Sequence, residues 1–367
     1  MILVNEPLVS DEAKKYVNDA LDTGWISSAG KYVDLFEKNF AQYLGVKYAT
    51  TTTNGTTALH LAMEALGIGK DDEVIIPDLT IISCAYAALY VGAKPVLVDV
   101  DPLTGNLDPQ KIEHAITPKT KAIMVVHLYG HPADMDPILE IARRHHLFVI
   151  EDAAEAHGAE YKGKKVGSFG DIACFSFYGN KIVTTGEGGM VVTNNESIFK
   201  RAKVIKDLAH SEGKRFFHKH IGYNFRMTNL QAALGVGNLE HIDEYIEKKL
   251  WMANLYTELL KDVVWIEIPQ IQQYAKSVFW MFAILIKSNA PFSRDEFMRV
   301  LKEKGVDTRS YFYSLHTQPV LRKRFTYDDS AFPVSDDLSA RGLYLPSGLA
   351  ITEAQVREVG EKIHQML

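Results

Sequence analysis

The stretch 122-AIMVVHLYGHPADMDPILEIARRHHLFVIEDAAEAHG-158 holds two short apolar runs, AIMVVHL and LFVIEDA, around a segment whose apolar residues recur at spacings of three and four. It reads strand, helix, strand. Strands apolar throughout, joined by a helical crossover, call for a parallel sheet covered on both faces. Runs of the same kind recur at EVIIP (73–77), PVLVDVD (95–101), IACFSF (172–177) and GMVVT (189–193). The expected architecture is α/β, a mostly parallel mixed sheet between helices, with ligands at the C-terminal strand ends.

The pattern changes after about residue 245. A long helical stretch over 227–261 leads into 263-VVWIEIP-269 and 278-VFWMFAILIK-287. Then 293-SRDEFMRVLKEKG-305 opens on a Ser-x-x-Glu capping box and stops at Gly305, and a last helix falls near 353–366. This predicts a large α/β domain over 1–245 and a smaller α+β domain over 246–367, the latter packed with the N-terminal segment. A chain of 367 residues suits that division.

Composition narrows the function classes. With 47% hydrophobic and 23% charged residues the chain is an ordinary globular sequence, and its net charge of −6 provides no basic field for nucleic acid or an anionic membrane. An anionic substrate must be held by local donors. Cys84 and Cys174 lie among apolar neighbours and form no CxxC pattern, which fits reduced thiols and a cytoplasmic location. No run of 18 apolar residues and no signal-like N-terminus is present, so neither a membrane span nor export is expected, and no metal centre is expected.

Four segments fall at strand ends or helix starts. In 53-TNGTTALHLAMEAL-66 a glycine turn opens an apolar helix, and its free amides with the hydroxyls of Thr56 and Thr57 suit a phosphate or, more simply, an N-cap. In 151-EDAAEAHG-158, Asp152 ends a strand, either as a helix cap or as a partner for a protonated ring nitrogen. In 175-FSFYGNKIVTTGEGGMVVT-193, Ser176 precedes a bend that carries Lys181. A turn lysine is ordinarily solvated, but apolar, aromatic and glycine neighbours favour a desolvated amine able to form a Schiff base. In 221-IGYNFRMTNLQAALG-235, Asn224 and Arg226 precede a helix. A phosphate cradle, a carboxylate for a ring nitrogen and an amine nucleophile are together the groups that pyridoxal phosphate requires.

These segments resemble the DegT/DnrJ/EryC1/StrS sugar-nucleotide aminotransferases, a branch of the fold-type I pyridoxal-phosphate enzymes. The likeness runs from 25-WISSAGKYVDLFEKNFAQYLG-45 through NGTTALHLA (54–62), VHLYGHPADMDPI (126–138), EDAAEAHG and FYGNKIVTTGEGGMV to GYNFRMTN and 341-RGLYLPSGL-349. The resemblance implies that Lys181 is the Schiff-base lysine and proton carrier, that Asp152 faces the pyridinium nitrogen, and that Glu155, where many relatives have Gln, lies near the phenolic oxygen. It implies that Gly55, Thr56 and Ser176 bind the phosphate and that Asn224 comes from the partner of a homodimer with shared sites. Trp25, Ser28, His157, Arg309 and His316 fall in segments that the resemblance sets near the nucleotide sugar. The WISS, HLYG, EDAAEA and FYGNKIVTTGEGGMV segments are most similar to members that move the amino group of L-glutamate to C4 of GDP-4-keto-6-deoxy-D-mannose. A UDP- or dTDP-linked keto sugar is the alternative substrate.

Three positions depart from the family. Ile81 stands where many relatives stack an aromatic residue on the cofactor, Ser310 replaces a proline in 308-TRSYFYSLH-316, and the surface over 209–220 is unlike the relatives and a candidate nucleotide contact. Competing readings fare less well. A dehydratase of the same family carries His in place of Lys181. A nicotinamide enzyme needs GxGxxG after an early strand, whereas Gly186, Gly188 and Gly189 lie between late ones. A cysteine desulfurase needs a reactive cysteine in a mobile loop. A non-catalytic regulator on the same fold stays open at this stage.

Overall fold

The computed structural model describes residues 1–211 and 214–366. Seven strands form the central sheet: β1 (Tyr48–Thr52), β2 (Glu73–Pro77), β3 (Lys94–Val98), β4 (Thr120–Val126), β5 (Phe148–Asp152), β6 (Ile172–Ser176) and β7 (Gly189–Thr193). Their order is β1-β7-β6-β5-β4-β2-β3. Strands β2 to β6 are parallel, and β7 runs antiparallel between β6 and β1. This is the mostly parallel mixed sheet expected from the apolar runs.

Successive strand residues point to opposite faces, and here both faces are buried. Ile75, Ile123 and Val125 pack into one apolar cluster with Phe36 and Phe40 of α2 (Lys31–Leu44). Val74, Ile76 and Met124 pack into another with Leu61 of α3 (Gly55–Leu66) and Ala85 and Ala88 of α4 (Ser83–Tyr90). The crossover 134–146 forms a helix, Met135–His145, whose Ile138 and Ile141 cover the first face.

One strand of the central sheet escaped the sequence reading. YATTT (48–52) is mostly threonine and shows no apolar run, yet β1 pairs with β7 along its full length. Its polar groups are satisfied internally: Glu37 Oε1 accepts from the Thr51 amide at 2.8 Å, and the Lys206 ammonium donates to the Thr51 carbonyl at 2.9 Å. The single helix expected over 227–261 is two helices, Asn229–Leu239 and α5 (Ile242–Leu260), because the chain leaves helical geometry at His241 (φ −107, ψ 12). Ser293 caps the helix Arg294–Glu303 with the expected capping box.

The C-terminal part carries a four-stranded antiparallel sheet in which Phe282–Ile286 lies between Ile266–Glu267 and Gly342–Leu345, with Arg309–Ser310 at the far edge. Of 263–269, only Ile266–Glu267 is strand. Ile2 bridges to Val306, and Val4 accepts from the Ser347 amide, so the N-terminal segment is sewn onto this sheet. Helix α5 runs through residue 245 without a break. Its Ile242, Tyr245 and Ile246 pack with the first cluster, and its Met252, Tyr256 and Leu260 pack with the C-terminal core. Among the described residues, no helix is long and apolar enough to cross a membrane. Residues 212–213 of the candidate nucleotide surface lie outside the described residues.

Candidate active site

The C-terminal ends of β5 and β6 and the start of α3 converge on one cleft of about 450 Å³, closed from the opposite side by Trp280, Arg309 and Tyr344 of the C-terminal part. Strand alternation divides the acidic pair that ends β5. Glu151 points to one face, where the amides of Gly167, Phe169 and Gly170 and the ring of His127 hold it. Asp152 points to the other, into the cleft.

Asp152 is 3% exposed and forms no ion pair among the described residues. Its Oδ1 accepts from the Ala154 amide at 3.1 Å and its Oδ2 from the Cys84 thiol at 3.2 Å. Burial pushes this carboxyl above the usual range, against the opposing pull of those donors and of Lys181. A buried carboxyl in this condition is suited to a cationic partner arriving from the cleft.

Lys181 is delivered by the bend after β6. Its Nζ lies 3.7 Å from Glu155 Oε1 and 3.6 Å from the centroid of the Trp280 ring. Burial lowers the amine's pKa, while the charges of Glu155 and Asp152 oppose the shift. The indole face also favours the charged form, by about 2 kcal/mol in a desolvated setting. Burial raises Glu155 to about 7 despite Lys181 beside it, and its Oε2 accepts from the Tyr129 amide at 2.9 Å. Tyr129 presents that amide from a left-handed conformation (φ 52), a backbone cost borne inside the HLYG segment.

The start of α3 forms the third wall. Asn54 caps the helix by accepting from the Thr57 amide, and Thr57 returns a bond to the Asn54 amide. The amides of Gly55 and Thr56 precede the helical ladder and have no partner within it, so they face the cleft at the positive end of the helix dipole. A Cβ on Gly55 would come within 2.8 Å of the Ser176 Cβ, so only glycine lets the helix start approach β6 this closely. Thr56 Oγ1 shares a hydrogen bond of 2.9 Å with Ser83 Oγ. A cradle of amides and hydroxyls, a buried carboxyl and a desolvated amine fit the phosphate, ring nitrogen and aldehyde of pyridoxal phosphate.

Gly55, Thr56, Asp152, Glu155, Ser176, Lys181 and Arg309 therefore meet in one cleft. Five other expected residues do not line it. His157 is 1% exposed beneath the Lys181 bend, packed against Phe40, Phe175 and Phe177, and accepts from the Val183 amide. Burial holds it neutral, with a pKa of about 3, and it supports the bend without lining the cleft. His316 is also 1% exposed; it binds Asp78 through its ring at 2.7 Å and its amide at 2.8 Å and stacks on Phe332. It ties the 314–317 turn to the end of β2 and offers nothing to the cleft. Trp25 and Ser28 lie beside Asn229, which donates to the Trp25 carbonyl at 2.6 Å. Asn224 is exposed and binds Arg226.

Sequence reasoning missed Trp280, Ser83 and the contact of Cys84 with Asp152. Trp280 stands in a run readable only as a strand, and its indole N–H crosses to the Asn180 carbonyl at 2.8 Å, a contact without local signal. Ser83 had a signal, a hydroxyl at a helix start. Ile81 does line the cleft, so an aliphatic side chain occupies the position where many relatives present a ring.

Comparison with known proteins agrees with this geometry. The DegT/DnrJ/EryC1/StrS aminotransferase family matches residues 7–364. GDP-perosamine synthase of Escherichia coli O157:H7 is 45% identical over 99% of this chain and 98% of its own length. GDP-perosamine synthase of Caulobacter vibrioides is 44% identical over 100% and 98%. Among solved structures, S. venezuelae DesV in complex with a ketimine intermediate superposes with a TM-score of 0.91 at 32% identity, covering 98% of this chain and 99% of that one. The chain belongs to the DegT/DnrJ/EryC1/StrS aminotransferase family.

Proposed function

We propose that the protein transfers the amino group of L-glutamate to C4 of GDP-4-keto-6-deoxy-D-mannose, forming GDP-perosamine. The observation that carries this reading is the buried Lys181 amine, set between Glu155 and the Trp280 ring over a cleft that ends on Asp152 and the start of α3. The choice of sugar rests on the relatives named GDP-perosamine synthase, which align over nearly all of both chains.

In this reading the amides of Gly55 and Thr56, with Ser176, bind the phosphate of pyridoxal phosphate. With the group bound, Asp152 would keep its ring nitrogen protonated and Glu155 would interact with its phenolic oxygen. When bound, the group supplies an electron sink for the pair released as a C–H bond at the amino carbon breaks. The Lys181 amine removes the α-proton of glutamate and carries it across the site, and it performs the reverse transfer at C4 of the sugar. Burial in the cleft lowers the pKa of this amine, the direction a general base requires. Arg309, at the mouth, supplies a cation for the substrate's negative charge. Trp25, Ser28 and Asn224 act on the site of a second copy, so the working unit is a homodimer with shared sites.

The test is direct. The protein is incubated with glutamate and, in turn, GDP-, UDP- and dTDP-linked 4-keto-6-deoxy sugars, and aminated product is read by mass spectrometry. The GDP sugar should react and the others much less. Lys181→Ala should abolish turnover, and normal turnover by that variant defeats the assignment.

A further inference from the structure

Lys249, on α5, is 2% exposed and remote from any described carboxylate partner. Its ammonium donates to the Trp280 carbonyl at 2.8 Å and to the Ser347 carbonyl. Burial pulls its pKa down to about 7, and Lys248 pushes the same way. An unpaired buried cation costs free energy that an apolar side chain of the same length would not, so filling space does not account for a lysine here.

Its two acceptors are informative. Trp280 is the residue whose ring lies 3.6 Å from the Lys181 amine and whose indole N–H binds the carbonyl of Asn180, immediately before Lys181. Ser347 anchors the neighbouring backbone: its hydroxyl accepts from the Phe282 amide at 2.9 Å and donates to the Leu345 carbonyl at 2.6 Å. Tyr256, two turns along α5, donates to the Pro346 carbonyl at 2.9 Å. The helix that spans both hydrophobic cores therefore reaches the Lys181 bend through one tryptophan.

We propose that Lys249 is a positioning residue for amino transfer: by pinning the Trp280 and Ser347 carbonyls it fixes the indole that in turn fixes Asn180 and the amine of Lys181. The proposal rests on the reading of Lys181 as the reacting amine. Glu155 and Asp152 are the charged groups that face that amine, and neither contacts Lys249.

The test treats the full-length, cofactor-free protein with formaldehyde and cyanoborohydride across a pH series and follows methylation of Lys181 by peptide mass spectrometry. In Lys249→Met the indole loses its backbone anchor and water reaches the amine, so the methylation curve should move to higher pH, toward that of the exposed lysines. The kcat should fall roughly ten- to hundredfold with little change in KM, the expected scale for a misplaced reacting group. Lys249→Arg retains donors and should restore much of both. Tyr256→Phe, which removes a bond from the same buried cluster, should lower the melting temperature and leave the Lys181 curve in place. The proposal is overturned if folded Lys249→Met keeps the wild-type curve, or if Tyr256→Phe moves it equally. Should Lys249→Met fail to fold, Trp280→Phe, which lacks the N–H to Asn180, must shift the curve, and an unchanged curve is equally fatal. A wild-type Lys181 that methylates like a surface lysine, with turnover surviving Lys181→Ala, instead defeats the underlying reading.

Discussion

Glu155 stands where many relatives have an amide, and its effect on Lys181 is an electrostatic one. At 3.7 Å the carboxylate stabilises the ammonium and so opposes the lowering that burial imposes. Glu155→Gln removes that charge and keeps the acceptor for the Tyr129 amide, so the amine should lose its proton at lower pH than in the wild type. Because the neutral amine is the nucleophile and base, the rising limb of kcat/KM against pH should shift toward acid, and the methylation curve of Lys181 should follow. An unchanged curve would show that Glu155 is neutral in the working enzyme. Asp152 and Ser176 were legible because each ends a strand in an α/β pattern, and Lys181 because it sits on the bend that follows one, where the fold puts ligands regardless of tertiary detail. His157 and His316 misled for the reverse reason. The resemblance set their segments near the nucleotide sugar, and only the packing shows rings bound to an amide and to Asp78.

At the scale of elements, the cleft depends on how closely the start of α3 approaches β6 and β7. Gly55 meets Ser176, and a Cβ on Gly189 would fall 2.2 Å from the Asn54 carbonyl, so glycines on both sides allow the helix end to sit against the sheet. Gly55→Ala puts a Cβ 2.8 Å from that of Ser176, so the helix start or the strand must move. Overpacking of this kind costs about 1–3 kcal/mol, and where the strain is relieved by tilting the amides away, pyridoxal phosphate should bind at least roughly tenfold more weakly. Absorbance titration of the folded variant checks this; unchanged affinity would mean that the phosphate does not sit on these amides. The crossover helix Met135–His145 was legible from its apolar period, and the parallel strands from their continuous apolar runs. Strand β1 was not, because its threonines are buried on bonds to Glu37 and Lys206 that come from distant segments. The break at His241 was also hidden, since apolar spacing continues on both sides of it.

For the whole molecule, three of the five residues that fail to reach their own cleft, Trp25, Ser28 and Asn224, are not scattered. The Asn229 amide donates to the Ser27 carbonyl at 2.6 Å, and its side chain holds the Trp25 carbonyl, so the WISS segment lies alongside the chain that carries Asn224. The WISS segment exposes Trp25 at 59% and Ile26 at 49%, apolar side chains of the kind that a second subunit covers. In a two-fold dimer, residues that one chain lends to its partner's cleft are lent back reciprocally. Lys181→Ala and Asn224→Ala should then each be strongly impaired alone, the first because it lacks the amine and the second because its partner's cleft lacks the asparagine. When the two are mixed under conditions that exchange subunits, each mixed dimer contains one cleft with both residues intact. Random exchange should therefore restore up to about one quarter of the sites, a gain that neither variant can produce by itself. Recovered product formation, with sedimentation showing a dimer, supports the shared site; no recovery despite proven exchange would confine catalysis to residues of a single chain.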